Sequence, residues 1–112
     1  MERHRWYILK DHEPVPVAEQ EYFAWHASEA ARGEHPCITI HVANDYIGKV
    51  HVSTVFLGMD HAWSGPPVLF ETMVFGGALD EQQWRYCTWA EAMAGHAGIV
   101  AQVRALEAPD GH

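Results

Sequence analysis

Val68-Leu-Phe-Glu-Thr-Met-Val-Phe75, set between Pro66-Pro67 and Gly76-Gly77, is the stretch on which the fold turns. It is short, apolar, rich in β-branched and aromatic residues and closed by turn residues at both ends, which reads as a strand inside a sheet. Trp84-Arg-Tyr-Cys87 is a second, shorter strand, and it runs straight into Thr88-Trp-Ala-Glu91. That tetrapeptide is a capping box, in which the Thr hydroxyl accepts from the amide three residues on and the Glu carboxylate reaches back. The spacing predicts a helix from there to near Leu106, with Trp89, Met93, His96, Val100 and Val103 in one stripe widened by Ile99 and Leu106. Gly95 and Gly98 each weaken this helix by roughly 1 kcal/mol relative to Ala, a cost that close packing would explain.

Working back from that stretch, residues 50–57 alternate as another strand, with Val50, Val52, Thr54 and Phe56 on one face. Residues 37–42 alternate too, Ile38, Ile40 and Val42 against Cys37, Thr39 and His41, and Asn44-Asp45 supplies turn material between the two strands. Residues 17–32 have helical spacing, with Phe23, Ala27 and Ala30 on one face, acidic residues in the first turn and Gly33 as a stop before Pro36. Trp6 to Lys10 is a strand followed by a turn, and Pro14 and Pro16 forbid a central strand immediately after it. The order is β-α-β-β-β-β-α. Short links between the later strands favour an α+β fold, a four- to five-stranded mainly antiparallel sheet with both helices packed on one face. Successive hairpins alternate ends, so the loop 58–67 and the start of the last helix are expected at the same end.

A chain of 112 residues is read as a single domain spanning 1–112, large enough to bury a core without staples. Fifteen acidic residues against seven basic give a net charge of −8, which disfavours direct nucleic-acid binding. An acidic surface is either a solvated one or one that docks on a basic protein surface. Cys37 and Cys87 are too few for a disulfide scaffold and are expected to be reduced and unpaired. The first residues lack a signal-peptide pattern and no apolar run reaches membrane-spanning length, so the reading expects a cytoplasmic protein that does not enter a membrane.

Chemistry could sit in few places. The loop Gly58-Met-Asp-His-Ala-Trp-Ser-Gly-Pro-Pro67 puts a carboxylate beside an imidazole at Asp60-His61 and holds Trp63 in a segment with little core role. Either it is a recognition loop, with Asp60, His61 and Trp63 as binding residues, or Asp60 caps a turn and Trp63 folds back as a lid. Glu71 interrupts an apolar strand and His96 an apolar helix stripe, both on the order of 10 Å above the shared end. If Glu71 faces the helices the two could meet as a perturbed acid–base pair; otherwise Glu71 faces water and His96 is a satisfied core histidine. Asp60, His61, Glu71 and His96 are therefore the candidate catalytic residues of a small hydrolase. Nine histidines raise a metal site, with His41 and His51 on neighbouring strands near Cys37, yet no HExxH or CxxC spacing defines a ligand set. Neither a phosphate loop nor a GxSxG elbow is present. No cofactor and no metal are expected.

Val52-Ser-Thr-Val-Phe-Leu-Gly-Met-Asp-His61, Gly65-Pro-Pro-Val-Leu-Phe-Glu-Thr-Met-Val-Phe-Gly-Gly77 and Trp84-Arg-Tyr-Cys-Thr-Trp-Ala-Glu-Ala-Met-Ala-Gly-His96 together resemble a family of short uncharacterised proteins of bacteriophage and prophage genomes. The likeness covers the central and C-terminal two-thirds and carries no known activity. It implies a protein made in a bacterial cytoplasm that binds a host protein partner, defence systems included. The expectation is thus a binding protein that modulates a bacterial partner. The hydrolase is the alternative, and self-association through a sheet edge or an aromatic patch is a third reading.

Overall fold

The computed structural model describes residues 4–32 and 40–107. Its elements are β1 (Trp6–Lys10), β2 (Glu13–Val17), α1 (Glu19–Arg32), β3 (Ile40–Ile47), β4 (Val50–Phe56), β5 (Phe70–Phe75), β6 (Gln83–Tyr86) and α2 (Trp89–Glu107). The class is α+β. Strands β3 to β6 form a four-stranded antiparallel meander, and β1 with β2 forms a separate two-stranded sheet. The expected stop at Gly33, the strand start at Cys37 and the C-terminal tail lie outside the described residues. Among the described residues no helix is long and apolar enough to cross a membrane.

Strand parity decides the core. Val52, Thr54 and Phe56 of β4 stand opposite Val74, Thr72 and Phe70 of β5, and all six are buried beneath α2. The helix lays Ala92, His96, Ile99, Val100 and Val103 on them. Val50, Val52 and Val74 pack with Ile99, Val100 and Val103, while Phe56, Leu69 and Phe70 pack with Ala92 and Tyr7. The buried stripe departs from the sequence reading at both ends: Ala92 is inside where Met93 was expected, and Met93 and Leu106 are exposed. A small side chain is needed there because the Phe56 and Phe70 rings, 5.3 Å apart, occupy the space below. A Cβ on Gly95 would fall 2.4 Å from the Tyr86 ring, so this glycine permits a close approach, whereas Gly98 faces open space.

The N-terminal strand does not join the meander. It turns back on itself through Asp11 and His12, both at positive φ (49° and 69°), as a two-residue hairpin requires. Pro14 and Pro16 stand opposite Leu9 and Tyr7, at alternate positions whose missing N–H groups face the outer edge. The prolines therefore blunt that edge against further pairing without disturbing the hairpin. The expected turn at Asn44-Asp45 is also corrected. Strand β3 runs through both residues to Ile47, the reversal falls at Gly48-Lys49, and a bulge between His41 and Ala43 resets the alternation.

Helix α2 covers the sheet, while α1 packs chiefly on β1 and reaches the same core through Trp25, whose ring meets Phe56 edge-on at 5.9 Å. The face α1 buries carries Tyr22 and Trp25, and Phe23 and Ala27 stay exposed. The capping box forms as expected: Glu91 N donates to Thr88 Oγ1 at 3.0 Å, and Thr88 N and Cys87 N donate to Glu91 Oε1 at 3.1 Å. Thr88→Ala should cost about 1 kcal/mol in urea unfolding, since it orphans a first-turn amide; an unchanged midpoint would mean water replaces the cap.

Candidate functional site

The loop 58–67 and the head of α2 do share an end. Leu57 N donates to Leu69 O at 2.7 Å and Leu69 N to Tyr86 O at 3.1 Å, so the strand ends around the loop are stitched side by side. Burial pushes the Cys87 thiol up, and the nearby carboxylates of Glu91 and Asp60 add to the effect. A thiol so placed stays protonated near neutral pH and is a poor nucleophile.

Within the loop, Asp60 does the structural work that its turn position suggests. Ala62 N and Val68 N donate to its Oδ1 at 2.8 and 3.0 Å, and His61 N donates to Val68 O at 3.2 Å. These bonds tie the two arms together and leave Trp63 at the tip, 99% exposed. The lid reading of Trp63 is therefore excluded by the geometry, and the turn-capping reading of Asp60 is met. The loop is also sewn to the chain before β1: Tyr7 N donates to Gly58 O at 2.8 Å, Asp60 N donates to Arg5 O at 2.9 Å, and Trp6 pairs with Met59. Continuing that antiparallel register sets His4 opposite His61. A cleft of about 490 Å³ results, lined by His4, Arg5, Asp60, His61, Ala62 and Trp63. Sequence reading found Asp60, His61 and Trp63 but not His4 and Arg5, because the pairing that brings them there spans more than fifty residues.

The other candidates part company. Glu71 stands opposite Val55 on the open face and pairs with Arg85 at 3.3 Å, a partly exposed ion pair worth little to stability. His96 lies on the other side of the sheet, so the acid–base pair considered for Glu71 and His96 does not form. His96 has found different partners. Its Nε2–H donates to Asp45 Oδ2 at 2.7 Å, and its Nδ1 lies 2.7 Å from Thr54 Oγ1, itself 2.5 Å from Thr72 Oγ1. From the ring the chain continues through Thr54 Oγ1 to Thr72 Oγ1, each atom within hydrogen-bond reach of the next. The chain links β3, α2, β4 and β5 in one line between the two apolar clusters. It resembles a catalytic relay in composition only: Thr54 has no exposure and His96 has 4%, so no substrate reaches the hydroxyl. This is the satisfied core histidine. Thr54→Val keeps the shape and leaves His96 Nδ1 and the Thr72 hydroxyl short of a partner, so it should destabilise by about 1–3 kcal/mol. Guanidinium unfolding checks it, and equal midpoints would show that the hydroxyl bridges nothing.

His41 and His51 both lie on the open face, and His51 stacks between Tyr46 at 4.3 Å and Phe75 at 5.5 Å with Asn44 Oδ1 on its Nε2. Burial, and then the neighbouring His41, hold the His51 imidazole below its ordinary range. Cys37, the third residue considered for a metal, lies outside the described residues, and among the described residues no three metal-ligating side chains come together. No family model, curated protein or solved structure matches the chain.

Proposed function

We propose that this chain is a binding protein that grips a bacterial protein partner with the loop carrying Trp63, modulating that partner instead of catalysing a reaction. The observation that carries the reading is the 99% exposure of Trp63 at the tip of a loop pinned by Asp60. An indole held in water contributes nothing to folding, yet burying an aromatic of this size against a partner removes about 150–250 Å² from water, worth about 4–6 kcal/mol before association costs. A pinned loop also has little entropy left to lose on binding, which is the condition for an efficient anchor. The resemblance of the central and C-terminal segments to short phage and prophage proteins supplies the setting, a bacterial cytoplasm and host machinery, defence systems among it.

A hydrolase built on Asp60, His61, Glu71 and His96 has less support, since Glu71 and His96 lie on opposite sides of the sheet and Asp60 Oδ1 is taken by two amides. Capture from bacterial lysate on the immobilised protein tests the binding reading. A stoichiometric partner should be retained at low salt, and a lysate panel yielding none would argue against it.

A further inference from the structure

We propose that the cleft beside Trp63 receives an acidic segment of the partner, one carboxylate seated on Arg5 and an adjoining apolar side chain laid on the Trp63 ring. The inference rests on the reading of Trp63 as a binding anchor and names the chemistry of what it grips.

The cleft is less acidic than the molecule around it. The chain carries −8 overall, yet the described lining of this opening sets the Arg5 guanidinium against one carboxylate, with the imidazoles of His4 and His61 beside them. Asp60 is the single acidic side chain among the described lining residues, and its Oδ1 is already engaged by the amides of Ala62 and Val68. The side-chain contact found for the Arg5 guanidinium among the described residues is Met59 Sδ at 3.7 Å. A thioether is a weak acceptor, and a guanidinium has five donors in a planar fork that matches a carboxylate. Among the described residues, Arg5 is thus an exposed cation with most of its donors open to a ligand.

Its position is set by backbone, which makes the arrangement a receptor and not a loose surface charge. Asp60 N donates to Arg5 O at 2.9 Å, and the Trp6–Met59 bridge continues the pairing. Arg5 and His4 are therefore tied through backbone to the loop that carries Trp63, and all three line the cleft. A charged fork and an aromatic plate lining one opening select a ligand that offers a carboxylate next to something apolar. A nucleic-acid strand fits worse, because its serial phosphates would meet the −8 field over their whole length. A short acidic segment within an otherwise neutral or basic partner brings one carboxylate to the Arg5 guanidinium in place of a row of phosphates.

Random peptides of about a dozen residues displayed on a carrier and selected on the whole immobilised protein would test this. The enriched peptides are then measured against wild type, Arg5→Gln and Trp63→Ala, all at exposed positions and all checked for an unchanged thermal midpoint. We expect enrichment of Asp or Glu beside an aromatic or aliphatic residue, with affinity falling about tenfold or more in each variant. Peptides that depend on Trp63 but are basic, or are indifferent to Arg5→Gln, would overturn the acidic-segment proposal and leave the anchor reading standing. Enriched peptides that all ignore Trp63→Ala, or no enrichment, would overturn both. A single-stranded oligonucleotide binding in an Arg5-dependent way, and more tightly than the peptides, would overturn the peptide assignment.

Discussion

Gly58→Ala is expected to lower the free energy of unfolding by about 2–5 kcal/mol, a large effect for one added methyl group. Two penalties combine. Gly58 sits at φ 77°, where an L side chain costs about 1–2 kcal/mol. The new Cβ would also lie 2.4 Å from Tyr22 Cε1, well inside contact distance. Tyr22 cannot swing clear cheaply, since it is buried with Trp6 at 4.9 Å and His26 at 5.5 Å. Overpacking of that kind costs about 1–3 kcal/mol. The two parts separate in a double-mutant cycle. In a Tyr22→Leu background, Gly58→Ala should lose the collision and keep the backbone cost, so its effect should fall to about half. Urea unfolding of the four proteins measures this. If Gly58→Ala matches wild type, α1 does not pack against the first residue of the loop.

The contact also shows what a sequence can and cannot carry. The strands from Val50 to Tyr86 and the cap at Thr88 were legible because their signals are local: alternation, bounding Pro and Gly, and a Thr-x-x-Glu box. Asn44-Asp45 misleads because their turn propensity is local but their partners are not. Asn44 finds His51 across the hairpin and Asp45 finds His96 fifty-one residues away, and these bonds hold both residues in a strand. Glu71 and His96 were rightly set at similar height, yet height says nothing about face. Register puts Glu71 opposite Val55, on the far side from Thr54 and Thr72. The prolines of the N-terminal hairpin were rightly kept from a central strand, but a two-stranded ribbon has an outer edge where their lack of N–H costs nothing. Of the cleft, the loop half was legible. Arg5 and His4 were not, since only the pairing of Trp6 with Met59 brings them there.

Trp63→Ala is expected to separate stability from function more sharply than any other single change. At 99% exposure the indole leaves no cavity behind, so the cost to folding should be within about 0.5 kcal/mol, against about 3–5 kcal/mol for a buried aromatic. Thermal denaturation should therefore give nearly superimposable curves for the two proteins. Binding should respond in the opposite sense. An anchoring Trp at the centre of an interface is worth about 2–4 kcal/mol on truncation, a loss of about thirtyfold to several hundredfold in affinity. The loop that presents it is unaffected, because Asp60 holds the amides of Ala62 and Val68 and no bond of the pin passes through the Trp63 side chain.

Paired capture from one bacterial lysate, with wild type and Trp63→Ala immobilised at equal density and matched thermal midpoints, tests the binding account most directly. Wild type is expected to retain a stoichiometric partner that is reduced by about thirtyfold or more on Trp63→Ala. A partner retained equally by both proteins would contradict it.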